Sequence, residues 1–288
     1  LSVHKYMTTN LLHINMSKSV YMLFRPGRYS SCARTREFGS EKHISLHNHT
    51  LQKVDKVKFL GVVIDEKLTW QPHIKALSKK LASCTGCLNR ISESIPKDKY
   101  KDLYHTLFES YLTYGITVWG GVSDNKLRSI FQAQKKVARV LFGDKEKYKD
   151  KFRTCCRVRP LHEQKLGPEF YIKEHSKPLF SDQKILNARN LYTYHCINET
   201  FKILKFRSPI KMYEIFKFSV RNSKSLFLIT PKPSDTFSYR SSALWGLLRK
   251  SLLVDDASSA ISALKKNLQK FLMDKQNVGH KIDWIEHN

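Results

Sequence analysis

No apolar run among the 288 residues approaches the roughly 20 needed to cross a bilayer. Leu1-Ser2-Val3-His4-Lys5 also opens without the apolar core of a secretion signal. These absences set aside a membrane-spanning or secreted protein, and the expectation is an intracellular one, cytoplasmic or nuclear. Phosphate-cradling loops are missing too: there is neither GxGxxG nor GxxxxGK[ST]. The same holds for HExxH, GxSxG and a nucleophilic cysteine with a positioned base. Cysteine is sparse, six in all (Cys32, Cys84, Cys87, Cys155, Cys156, Cys196), and reduced thiols are expected. Cys84-Thr85-Gly86-Cys87 is a lone CxxC inside a helical pattern, and Cys155-Cys156 precede His162 and His175. Buried apolar cysteines account for this spacing better than zinc ligands do, so no metal is expected.

Acids are the scarcest group relative to their counterparts, 25 Asp+Glu against 51 Lys+Arg, a formal charge of +26. The excess is spread evenly along the chain, which excludes a basic tail on a neutral body. So cationic a chain repels itself unless an anion offsets it, and nucleic acid is the favoured partner. A membrane surface, the rival, would favour one strongly basic amphipathic helix over a diffuse excess. Lysine outnumbers arginine 36 to 15, which suits point-charge contacts to phosphates more than bidentate base reading. The 16 Phe, 13 Tyr and 4 Trp require a folded core and rule out a disordered tail.

Local patterning predicts a small α+β start. Val20–Phe24 reads as a strand ended by Pro26-Gly27, residues 28–43 as a loop, and Ile44–His47 with Thr50–Val54 as a hairpin. Val57–Ile64 (VKFLGVVI) reads as the strongest strand, its interior Gly61 marking a close backbone approach. The pattern then turns helical. Trp70, Ile74, Leu77, Leu81, Cys84, Leu88 and Ile91 form one apolar stripe. A second helix carries Tyr100 to Leu112, and a third runs from the Asp124 cap to Phe142, with Gly143 past its end. The three should pack as an antiparallel bundle. Residues 144–159 read as a hydrated or phosphate-facing linker. Further helices are expected over Asp182–Phe206, Ser208–Phe218, 241–253 and 257–273, with a strand at Leu226–Ile229.

Two features bear on chemistry. Arg128, Gln132, Lys135 and Arg139 recur on the face of the third helix opposite its apolar stripe, with Lys136 alongside. The first helix offers Lys75, Lys79 and Lys80, with no acid between residues 67 and 92. Such faces can track a phosphate backbone; the plain alternative is a solvated face. The missing acidic partners favour phosphate contact. Asp255-Asp256 superficially matches a polymerase metal pair. It precedes a helix start, where a cap is the better reading, and Asp65-Glu66 is read as a turn.

The order of these elements resembles a family. The run from Lys58 through Leu60-Gly61-Val62, Ile64-Asp65, Leu68, Trp70 and His73-Ile74 is similar to the K-x-L-G-V-x-I-D-x-x-L-x-W-x-x-H-I stretch of LINE-type (non-LTR) retrotransposon reverse transcriptases, Jockey-like or RTE-like. Leu12-His13-Ile14-Asn15 with Lys18 and Val20–Phe24 resembles the palm segment after the catalytic aspartates. Leu103-Tyr104, Tyr114-Gly115 and Trp119 match an L-Y…Y-G-x-x-x-W helix, and residues 131–139 an L-x-x-x-Q-x-x-x-x-R helix. Phe237, Trp245 and Ala263–Leu268 resemble the family's C-terminal ending, although Gly246 stands where the family commonly has Asn. The resemblance is weakest between 145 and 235.

The resemblance implies an α+β chain: the end of a palm with its primer-grip hairpin over 1–68, a helical thumb bundle over 69–143, and a basic, mainly helical C-terminal region over 144–288. It implies an RNA-directed DNA polymerase as the parent, a primer–template duplex of RNA and DNA as partner, and upstream palm and fingers that complete the enzyme. Mg²⁺ would serve the complete polymerase and no cofactor this chain, since the palm aspartates would precede it. Lys18 would match a palm lysine near the incoming nucleotide, and Leu60-Gly61 would lie at the primer 3′ end. Lys58, Trp70, His73, Lys75, Lys79, Lys80, Arg128, Gln132, Lys135, Lys136 and Arg139 complete the candidate nucleic-acid contacts. The alternative is a standalone basic nucleic-acid-binding protein derived from such an element.

Overall fold

Helix dominates because apolar residues recur at helical spacing for most of the chain and at strand spacing only near its start. A computed structural model describes residues 3–24, 44–46, 49–143, 177–218, 228–229 and 261–278. It is mostly helical with a small N-terminal β portion. The expected loop over 28–43, the 144–159 linker, the helix over 241–253 and Asp255-Asp256 lie outside the described residues. Two compact units divide the chain, Leu1–Lys75 and Ala76–Asn288.

The first unit begins with α1 (Val3–Thr9) and a 3₁₀ turn, Met16–Lys18. Its strands are short and pair two by two. Strand β1 (Val20–Tyr21) runs parallel to β4 (Gln52–Lys53), and β2 (Ser45–Leu46) antiparallel to β3 (His49–Thr50). The single strand expected over Val57–Ile64 is instead a hairpin, β5 (Lys56–Phe59) and β6 (Val62–Asp65), with Phe59 opposite Val62. Gly61 is its turn residue, at φ 85°, and Leu60 precedes it at φ 44°. Positive φ at both central positions is the mirror-image turn that matches the twist of paired strands. The β-branched run hid this turn because Leu-Gly lacks the usual Asn-Gly signal.

Helix α2 (Gln71–Ile91) starts in the first unit and continues into the second. Within the second unit its Leu77, Leu81 and Leu88 are buried, as the stripe requires. Helix α3 covers residues 100–113: α-helical over Tyr100–Leu103, π-helical over Tyr104–Glu109 and α-helical again over Ser110–Thr113. After α4 (Ile116–Trp119) comes α5 (Asp124–Phe142). Tyr104, Phe108, Leu112, Trp119, Ile130 and Val137 form a fully buried core among them. That core removes enough apolar surface from water to dominate folding, at about 1.5–3 kcal/mol per buried large side chain.

The helix expected from Asp182 to Phe206 is split. Helix α6 (Lys177–Asp182) ends before Lys184, which sits at φ 54°, and α7 (Ala188–Phe206) restarts behind Asn187. The Asn187 side chain accepts the Asn190 N–H at 2.9 Å, a local cap that competes with a continuous helix. Helix α7 buries residues all round its circumference and packs against α3, α4, α5, α8 (Ile210–Ile215) and α9 (Ile261–Val278). Strands β7 (Lys217–Phe218) and β8 (Leu228–Ile229) pair antiparallel. Gln276 ties α9 down: its Oε1 accepts from the Asn187 N–H and Asn190 Nδ2, both at 3.0 Å, and its Nε2 donates to Ile185 O.

Candidate nucleic-acid interface

In the first unit the candidate residues gather on either side of the β5–β6 hairpin. Lys58, Leu60 and Gly61 are exposed, and Leu60 keeps 75% of its surface in water despite being apolar. Asp65 then organises the passage into α2. Its carboxylate accepts the Thr69 N–H, the Thr69 hydroxyl and the Trp70 N–H, each at 2.9 Å. Those bonds hold Leu68 and Trp70 at φ 51° and 61°, conformations that non-glycine residues adopt only when the surroundings impose them. Burial works to raise the Asp65 pKa, but the bonds from Thr69 and Trp70 outweigh it, and the net shift is downward. Asp65 is thus the structural turn its position suggested. Trp70 is half-buried there.

His73, one turn into α2, is buried, and its Nδ1 accepts the Val63 N–H at 3.3 Å. The ring therefore fastens the helix to β6, and burial pushes its pKa below that of a free imidazole. Lys75 is exposed, as is Lys18 on its 3₁₀ turn, where the Asn15 side chain accepts the Lys18 N–H.

In the second unit Ser78 of α2 and Ser129 of α5 meet, Oγ to Oγ, at 3.0 Å. Lys79 and Arg128 each stand one residue from that bond, so the basic segments of two helices adjoin. Lys79, Arg128, Gln132, Lys136 and Arg139 are exposed. Among the described residues no carboxylate pairs with any of these four cations. The one acid on α5, Asp124, is held by Arg189, whose Nε and Nη2 donate to it at 3.0 and 2.8 Å. Lys80 faces α3, with Nζ 3.8 Å from the centre of the Tyr111 ring, a cation–π contact.

Lys135 differs from its neighbours on α5. It is only 5% exposed, and its Nζ sits 4.5 Å from the Phe131 ring centre. Burial first, then the guanidinium groups of Arg139 and Arg128, hold its ammonium down to a pKa of about 8. Next to it Gln134, fully buried, donates from Nε2 to the Tyr104 hydroxyl and to Leu186 O, both at 2.8 Å. Gln134 lay within the 131–139 stretch that carried the resemblance but was not a candidate contact, and its place among Ile130, Val137 and Ala138 on the stripe was the signal for its burial. The arrangement offers hydrogen-bond donors and positive charge to an extended anion. Among the described residues no group of three or more His, Cys, Asp or Glu could hold a metal ion. None of the described helices is long and apolar enough to cross a membrane.

Comparison with known proteins adds a relationship. Over 79 residues the chain is 30% identical to the retrovirus-related Pol polyprotein from type-1 retrotransposable element R1 of Bradysia coprophila, covering 26% of this chain and 8% of that protein. Over 102 residues it is 28% identical to the probable RNA-directed DNA polymerase from transposon BS of Drosophila melanogaster, covering 34% and 11%. The chain is a distant homologue of retrotransposon Pol polypeptides. The homology covers a minor part of it, and the chain spans about a tenth of the length of these relatives. No protein-family model matches the chain, and no solved structure matches it significantly.

Proposed function

We propose that this chain is the duplex-holding part of a non-LTR retrotransposon reverse transcriptase: the last palm segment and primer grip, the thumb, and the basic C-terminal region. The observation that carries this reading is the adjoining pair of basic segments at the Ser78–Ser129 contact, exposed and without carboxylate partners among the described residues. A chain of charge +26 whose described carboxylates do not pair with these cations is suited to a phosphate backbone. Distant homology to retrotransposon Pol polypeptides supports a primer–template duplex of RNA and DNA as that partner. In this reading the hairpin tip at Leu60-Gly61 approaches the primer end, and Lys18 approaches the incoming nucleotide. Among the described residues the sheets of the first unit are two-stranded and Tyr6, Leu12, Phe24 and Phe59 are exposed, as a palm edge that pairs with further strands would be.

Chemistry belongs to the complete polymerase, where Mg²⁺ held by aspartates would activate the primer hydroxyl. The described residues present no carboxylate cluster fit for that ion, and no catalytic step is assigned to them. The test is equilibrium binding of the full chain to an RNA–DNA duplex between 50 and 300 mM salt. Log affinity should fall linearly with log salt, and Arg128→Ala should lower the slope by about one. A flat salt dependence, or an unchanged slope in the variant, would sink the reading. Mg²⁺-dependent nucleotide incorporation by the chain alone would contradict its assignment as a holding part.

A further inference from the structure

We propose that Tyr111 of α3 and Lys80 of α2 form a stacking site for unpaired bases of a single strand that continues from the held duplex. This rests on the duplex-holding reading and adds a second partner surface, on the other flank of α2. That helix lies between two neighbours. On one flank Ser78 Oγ meets Ser129 Oγ of α5 at 3.0 Å. On the other, Lys80 Nζ stands 3.8 Å from the centre of the Tyr111 ring, and Cys84 Sγ donates to Leu107 O at 3.4 Å. Lys79, between Ser78 and Lys80 in the chain, is exposed. Positive charge therefore continues across α2, a width of about 10 Å, from the basic segments at α5 to the ring at α3.

A ligand reaches the ring from the face that Lys80 covers. Tyr111 keeps 39% of its surface in water, and Lys80 is exposed, so the ammonium is free to leave the ring for a phosphate. Among the described residues no carboxylate holds Lys80 in place. An ammonium over an exposed ring is a weaker contact than a base stacked on it. A base that takes the ammonium's place gains the stronger contact, and Lys80 then pairs with a phosphate of the same strand. Leu107, one turn earlier, and Tyr114, three residues later, are exposed too, so Tyr111 belongs to a wider apolar surface. A duplex hides its base faces within the stack, which makes the occupant an unpaired strand. Every base has such a face, so the site holds single strands with little sequence preference.

The test compares a blunt RNA–DNA duplex with the same duplex carrying a short single-stranded extension, each bound to the full chain at one salt concentration. The extension should tighten wild-type binding roughly ten-fold. Tyr111→Leu should keep the melting temperature and the affinity for the blunt duplex but lose that gain, whereas Tyr111→Phe should retain it. An abasic extension should add little, because its phosphates remain and its bases do not. Lys80→Met should lower the salt slope for the extended substrate by roughly 0.7, the loss of one single-strand phosphate contact. A full gain in Tyr111→Leu, or with the abasic extension, would overturn the stacking site. So would an extension that adds nothing to wild-type binding while the blunt duplex binds, and the duplex-holding reading would then stand. Equal losses on both substrates in Tyr111→Leu would overturn the assignment to unpaired bases. Failure of the wild type to bind either substrate would overturn both readings.

Discussion

His73 illustrates how a single side chain can carry charge-dependent folding. Its Nδ1 accepts the Val63 N–H, which only the neutral ring can do. Burial depresses its pKa in the folded chain, so the unfolded imidazole takes up a proton first as pH falls. Stability associated with His73 is therefore present above about pH 6.5 and is lost as pH drops from there through the folded value. We expect hydrogen-exchange protection at the Val63 amide to fall between pH 7 and 5. In His73→Gln, whose side chain does not titrate, protection should stay level over that window. An unchanged wild-type amide would show that the ring does not hold β6. The burial of His73 was legible in principle, since it flanks the stripe of Trp70, Ile74 and Leu77. That of Lys135 was not. It stands at the edge of the apolar stripe of α5, and the aromatic contact that closes over this face comes from α6, a short helix with no period of its own.

Elements with a long, regular apolar period were the readable ones. Helices α2 and α5 begin and end within a residue or two of where their stripes and caps put them. The π-helical segment of α3 was not, because the apolar spacing of this helix carries no mark of a wider turn. Thr106 Oγ1 donates to Asp102 O at 2.7 Å, Ser110 Oγ to Thr106 O at 2.5 Å, and Thr113 Oγ1 to Glu109 O at 2.8 Å. From α2, Cys84 Sγ reaches Leu107 O at 3.4 Å. These side chains add hydrogen bonds to carbonyls in and beside the segment. Two glycines give the element scale its test. Gly86 lies inside α2 with open space where a Cβ would go, so Gly86→Ala should stabilise by about 0.5–1 kcal/mol. At Gly120 a Cβ would lie 2.5 Å from Ile116 O and 2.8 Å from Tyr192 Cδ2, backbone and packed ring. Gly120→Ala should cost about 1–3 kcal/mol by overpacking. Chemical denaturation of both variants checks the pair, and equal effects would contradict the packing at Gly120.

At the scale of the whole molecule, charge is the property composition already stated and the fold did not neutralise. Ion pairs such as Arg189–Asp124 and Lys202–Glu199 exist, but among the described residues no carboxylate pairs with the exposed Lys79, Arg128, Lys136 or Arg139 of α2 and α5. Distant kinship to retrotransposon Pol polypeptides was legible, and the comparison finds it at 30% identity over about a quarter of the chain. The segment between α5 and α6 offered no such signal. A net charge of +26 in a folded chain produces self-repulsion that salt screens over roughly 10 Å at 0.1 M. Two opposed salt effects are therefore expected. Raising NaCl from 50 to 300 mM should raise the melting temperature of the free chain, because screening of the net repulsion outweighs the loss of exposed ion pairs, each of which contributes little. The same change should weaken duplex binding, because released counterions then contribute less. With duplex bound, the stabilisation should be largest at low salt and shrink as salt rises. Thermal scans with and without duplex across that range test all three. A melting temperature of the free chain that falls with salt would mean that attractive pairs outweigh repulsion, and the argument from unpaired charge to an anionic partner would fail with it.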